Sequence, residues 1–112
     1  VYITGRRADV LQRAAAEIGS GVVTVPGDVS DPAASRASME RIVREHGRLD
    51  IVVASAGGGT HAALGELAEE HVDRIFAINV KGLAFTVQEA LPLLGRRSFW
   101  SARWALLVAA LV

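Results

Sequence analysis

The chain has no cysteine, which removes disulfides, thiolate metal ligands and cysteine nucleophiles together and suits the reducing cytoplasm. It has no excess of either charge: twelve Lys plus Arg offset twelve Asp plus Glu. No net field therefore draws it to nucleic acid or to an anionic membrane. It has no long apolar run either. The stretch Trp104 to Val112 falls far short of the roughly 20 residues a spanning helix needs, and Val1 to Ile3 is too short for a signal-peptide core. Its histidines, His46, His61 and His71, share no ligand spacing with an Asp or Glu, so no metal site is expected.

What is present, in 112 residues, is enough for one small domain or part of one. The chain begins with Val inside a strand-like run, which leads us to expect a piece of something longer. "VYIT" at 1–4 is β-branched and aromatic and ends at Gly5, the pattern of a short buried strand. Leu11, Ala14, Ala15 and Ile18 then recur at helical spacing up to Gly19. "VVTV", 22–25, reads as a second strand. Asp31-Pro32 sets an N-cap carboxylate before a proline at the first helical position, where its missing N–H costs nothing. Met39, Ile42, Val43 and His46 are the expected inward face of that second helix, which Gly47 closes.

"LDIVVA", 49–54, is nearly unbroken apolar, as in parallel strands covered on both faces. Glu69 to Leu94 is the longest periodic segment, with Val72, Phe76, Asn79, Val80, Leu83, Val87, Ala90 and Leu94 on one stripe and Pro92 near its end. Alternating strands and helices of this kind predict an α/β sandwich with a parallel sheet and right-handed crossovers.

In such sheets ligands bind beyond the carboxyl ends of the strands. After the first strand stand Gly5, Arg6 and Arg7. They are either a solvated helix start or a pair of bases where a 2′-phosphate would replace the acid that holds a ribose. After the second stand Gly27 and Asp28, and after the third Ser55, Ala56, Gly57, Gly58 and Gly59. This glycine run either turns freely or lets main chain approach a ligand. It is not the G-x-G-x-x-G fingerprint. Asn79 is a polar amide on an apolar stripe, and burying it unpaired would cost on the order of 1–3 kcal/mol, so partners are expected, whether for packing or for function.

Taken in order, "VYITGRR", "GDVSD", "GRLDIVVASAGGG" and "FAINVKG" resemble the short-chain dehydrogenase/reductase family across residues 1–94. The resemblance implies an incomplete Rossmann-like doubly wound parallel sheet, without the first strand and its Gly-rich loop and without the C-terminal catalytic half. It implies hydride transfer between NADP, with NAD the weaker candidate, and an alcohol or carbonyl substrate of the full-length parent. Gly5 falls where NAD-preferring members have an acid, and Arg6, beside Arg7, where NADP-preferring members have a base. Asp28 and Val29 match the pair that meets adenine. Ser55, Ala56 and Gly57 lie on the Asn-Asn-Ala-Gly stretch, both of whose asparagines are replaced here. Asn79 matches the Asn of the catalytic tetrad.

The family's Ser and Tyr-x-x-x-Lys are missing: the only tyrosine is Tyr2 and the only lysine Lys81. The chain is accordingly expected to be inactive by itself. The rival expectations are a non-catalytic nucleotide-binding module, a homo-oligomerisation module working through the 69–94 helix, and an unstable truncation product. Residues 95–112 break the family pattern. Back-translated with a TCN codon for Ser98 and read two bases later, "SFWSARWA" becomes an aliphatic run followed by small residues and Ser or Ala, as the family's fifth strand reads. A frameshift near Gly95 and an aberrant tail are therefore expected.

Overall fold

The computed structural model describes residues 1–94 and the backbone of 106–110. Four parallel strands, β1 (Tyr2–Gly5), β2 (Val23–Pro26), β3 (Ile51–Ser55) and β4 (Leu106–Ala110), form one sheet in the order β2-β1-β4-β3. Helices α1 (Ala8–Ile18) and α2 (Pro32–His46) connect the first three strands. A continuous helical segment follows β3: α3 (Glu69–Phe76), a π-helical stretch Ala77–Gly82, α4 (Leu83–Ala90) and a 3₁₀ turn Leu91–Leu93 that contains Pro92. The α/β alternation and parallel pairing expected from the sequence are both present. So is the α2 cap: the Asp31 carboxylate accepts from the Ala33 amide at 2.9 Å, Pro32 opens the helix, and Gly47 closes it at φ 73°.

Side-chain alternation sorts the helices onto the two faces of the sheet. Tyr2, 1% exposed, and Val23, Val25 and Val52 pack with Met39 and Ile42 of α2 and Ala90 of α4. Ile3 and its register partner Thr24 point the other way, where the Gln12 amide of α1 donates to the Thr24 hydroxyl at 3.1 Å. Thus α1 covers one face and α2 with α4 the opposite one.

Three expectations about burial change. Val53 is 38% exposed: among the described residues nothing covers β3 on the α1 side, and its apolar run is packed on the α2 and α4 face. In α1 and α2, Leu11, Met39 and Ile42 are buried, but Ile18, Val43 and His46 are exposed. In the long helix the buried positions are Ile78, Gly82, Thr86 and Ala90, whereas Val72, Phe76, Val80 and Val87 face outward.

The physical reason is close packing of small residues. The Thr86 hydroxyl donates to the Gly82 carbonyl at 2.8 Å and lies 3.4 Å from the Ser35 hydroxyl of α2, and Ser38 satisfies its own hydroxyl on the Ala34 carbonyl at 2.9 Å. Small side chains let α4 and α2 approach, and the π turn shifts the register of the face that does so. Large apolar residues mark the other side.

Candidate functional site

The carboxyl ends of β1, β2 and β3 lie on one edge of the sheet, as parallel strands require, and their following loops meet the start of the long helix. Gly5 ends β1, and its carbonyl accepts from the Gly27 amide at 2.9 Å, which ties the first loop to the second. In the second loop the Asp28 carboxylate accepts from the Ser30 amide at 2.9 Å and the Ser30 hydroxyl at 2.7 Å. These two bonds, the hydroxyl's first, hold Asp28 below the ordinary carboxylate range against partial burial, with help from the guanidiniums of Arg6 and Arg74. Asp28 is therefore an anion at neutral pH.

Val29 is held from behind. A Cβ on Gly82 would stand 2.7 Å from the Val29 carbonyl oxygen, so the helix backbone reaches this loop only because residue 82 has no side chain. In the third loop Ser55 ends β3, Ala56 is buried, and Gly57 through Thr60 run outward. Asn79 clamps that loop: its Oδ1 accepts from the Gly58 amide at 3.0 Å while its Nδ2 donates to the Gly58 carbonyl at 2.6 Å and to the Ile75 carbonyl at 2.8 Å. A Cβ on Gly57 would lie 3.0 Å from the same Oδ1. The polar partners expected for Asn79 are thus the glycine loop and its own helix. The third bond runs from the π turn back to α3, and π turns recur at functional sites.

Between these loops and the helix lies an open cavity of about 220 Å³ lined by Arg6, Gly58, Gly59, Thr60, His71, Arg74, Ile75 and Ile78. Two guanidiniums line it, together with glycine backbone and the Thr60 hydroxyl, which is 3.3 Å from His71 Nδ1. Such a donor set binds anionic oxygens, phosphate foremost. Among the described residues no group of three or more His, Cys, Asp or Glu is placed to hold a metal ion.

Of the residues singled out in the sequence, Arg6 lines this cavity; Asp28 and Val29 line a small neighbouring cleft with Thr4 and Ser35. Gly58 and Asn79 form the clamp, with Gly57 close against the Asn79 amide. Arg7 occupies the N-cap position of α1 and lines neither space. Thr60, His71 and Arg74 escaped sequence reasoning. The spacing of His71, Arg74 and Ile78 on one helical face was the available signal, since that face begins opposite the glycine run.

Tyr2, the single tyrosine, lies in the core. Its hydroxyl donates to Glu45, its ring meets His46 edge-on at 5.6 Å, and burial first, then the Glu45 contact, push its pKa up to about 12. Lys81 is exposed on the π turn. Neither stands as an acid–base group in the cavity.

Comparison with known proteins gives concordant results. The family profile described as enoyl-(acyl carrier protein) reductase matches residues 1–102. Oxidoreductase asL5 of Sarocladium schorii is 41% identical over 96 residues, covering 86% of this chain and 39% of the relative. Versicolorin reductase 1 of Aspergillus parasiticus is 36% identical over 72 residues, 64% of this chain and 28% of the relative. Among solved structures, a short-chain dehydrogenase/reductase from Brucella melitensis superposes with TM-score 0.77 at 25% identity over 83% of this chain and 40% of its own. A 3-ketoacyl-ACP reductase from Sinorhizobium meliloti 1021 does so at 0.75 and 32% over 83% and 38%. The chain therefore spans less than half the length of these relatives.

Proposed function

Because the chain belongs to the short-chain dehydrogenase/reductase family, whose members are NAD(P)-dependent oxidoreductases, we propose that it provides the adenosine-binding half of an NADP site. The longer enzyme transfers hydride between NADP and a small alcohol or carbonyl compound. The observation that carries this reading is the pair Arg6 and Arg74 lining one cavity with Gly58 and Gly59 at the carboxyl edge of the sheet. A 2′-phosphate is a compact dianion, and two guanidiniums with nearby backbone are the donors that recognise it.

The residues present fit that end of the cofactor. Arg6 and Arg74 take the phosphate, the ionised Asp28 and the Val29 backbone border the adenine, and Asn79 keeps the Gly58 loop in place. The bound cofactor supplies the hydride chemistry. No Ser with Tyr-x-x-x-Lys occurs in the chain, so this chain by itself binds without turnover. Its balanced charge and lack of cysteine agree with a cytoplasmic protein that takes a small-molecule substrate rather than nucleic acid or a membrane. No described helix is long and apolar enough to cross a membrane.

Fluorescence titration tests the reading. NADPH is expected to bind about tenfold or more tightly than NADH, ~1.4 kcal/mol, and Arg6→Ala or Arg74→Ala to abolish the preference. Equal affinity of the unaltered chain for both cofactors would sink the assignment. A second reading, self-association through the 69–94 helix, is favoured by its outward apolar row, with Phe76 58% and Val80 55% exposed.

A further inference from the structure

The cavity at the carboxyl edge of the sheet carries a third nitrogen base besides its two guanidiniums. His71, half-buried in the first turn of α3, lines it together with Arg6 and Arg74. Its Nδ1 stands 3.3 Å from the Thr60 hydroxyl, and among the described residues its Nε2 has no hydrogen-bond partner. Thr60 is the outer end of the loop that Asn79 grips at Gly58, so this contact is a second fastening of the loop to the helix.

The chemistry of the partner matters. A carboxylate beside Nδ1 would favour the charged ring, and a backbone amide would favour the neutral one. A hydroxyl both donates and accepts. The neutral ring accepts the Thr60 proton at Nδ1, the charged ring gives its own Nδ1 proton to the Thr60 oxygen, and in both arrangements Nε2 keeps an N–H to offer. The ring can therefore gain a charge with the contact intact.

The surrounding charges decide when it does so. Arg6 faces the cavity from the loop after β1 and Arg74 from one turn along α3, and no carboxylate lines the space. Glu70 and Asp73 flank His71 on its own helix, and Asp28, in the neighbouring loop, is bound by Ser30 with its charge opposite Arg6 and Arg74. Two guanidiniums that never lose their charge oppose a third cation beside them. A phosphate dianion set between the three reverses the balance.

Resting on the NADP reading above, we propose that His71 is a binding residue for the 2′-phosphate, taking up a proton as the phosphate enters and donating to it from Nε2, with Thr60 as the positioning residue for its ring. The proton comes from solvent and returns to it when the cofactor leaves, and no covalent bond of the cofactor changes.

Proton uptake tests this, because Arg6 and Arg74 stay charged and cannot contribute it, and a phosphate held by guanidiniums gives protons up rather than taking them. NADP+ and NAD+ are titrated into the protein by calorimetry at about pH 7, where an imidazole changes charge, in buffers of different ionisation enthalpy. NADP+ binding should take up about half a proton, which corresponds to protonation made roughly tenfold easier by the dianion, and NAD+ binding none. His71→Gln should abolish the uptake and weaken NADP+ about tenfold with NAD+ unaffected. Thr60→Val, which keeps the shape of the side chain, should diminish both effects, and His61→Gln, at a neighbouring histidine that does not line the cavity, should change neither. Preference for NADP+ without uptake, uptake that survives His71→Gln, or equal weakening of both cofactors overturns the role of His71 and leaves the NADP reading standing. Equal affinity of the unaltered protein for the two cofactors overturns that reading, and the proposal with it.

Discussion

Replacing Asn79 separates the clamp from the rest of the helix. In Asn79→Ala three hydrogen bonds are lost, two to Gly58 and one to the Ile75 carbonyl. Each contributes about 0.5–1.5 kcal/mol net. Gly58 is exposed, so water takes over its amide and carbonyl, and the expected loss sits at the lower end, about 1–2 kcal/mol in all. At roughly 4–8 °C per kcal/mol that lowers the unfolding midpoint by about 4–16 °C. Asn79→Asp keeps the shape but turns a carboxylate toward the Gly58 and Ile75 carbonyls. It should cost more than Asn79→Ala at neutral pH, and the gap should narrow as pH falls and the acid regains a donor proton. Circular dichroism melts give the midpoints, and hydrogen exchange at the Gly58 amide gives the local effect. An unchanged midpoint with full protection of that amide in Asn79→Ala would refute the clamp.

Two further outcomes follow from the same packing. Tyr2 has its pKa raised from 10.0 to about 12 in the folded chain; the unfolded chain releases that proton first, so the contribution is complete below pH 10 and is lost as pH rises toward 12. At 1.36 kcal/mol per unit it amounts to about 2–3 kcal/mol, and stability of Tyr2→Phe measured by urea titration across that window should lack this decline. Gly82→Ala would gain about 1 kcal/mol as an ordinary helical glycine, but the new Cβ meets the Val29 carbonyl at 2.7 Å. A net loss of about 1–3 kcal/mol is expected, and a raised melting temperature would show that the approach is not tight.

Where a local rule decides the structure, the residues announced it. Asp31-Pro32 and Gly47 bound α2 because a cap and a positive φ are single-residue requirements, and both appear where expected. Asn79 stood out because a buried amide demands partners. The long helix misled for the converse reason. Hydrophobicity marks Val72, Phe76 and Val80, yet the face that packs is Ile78, Gly82, Thr86 and Ala90, since tight helix contacts select small side chains that no hydrophobic stripe reveals. His71 has no metal-ligand spacing and Arg74 stands in no motif; only the return of the helix over the strand ends brings them beside Arg6. The place of Leu106–Ala110 was hidden in the same way, because a short apolar strand carries no address. The expected tail at 95–112 otherwise lies outside the described residues.

The candidate site and the sheet centre are organised by different contacts. Asp28 is fixed by Ser30, Val29 by the approach of Gly82, and Gly58 by Asn79, and each of these partners belongs to a loop or helix on the β2 or β3 side. None is supplied by β4. The strand is nonetheless what holds the Arg6 loop, after β1, at a set distance from the Gly58 loop, after β3, because both neighbouring strands pair with it and not with each other. The spacing across a parallel pair is about 4.8 Å per strand, so the loops after β1 and β3 stand two strand widths apart, and Arg6 and Gly58 face the same cavity. The residues that recognise an anion are thus set by loops and helix, while the gap they span is set by one strand of backbone.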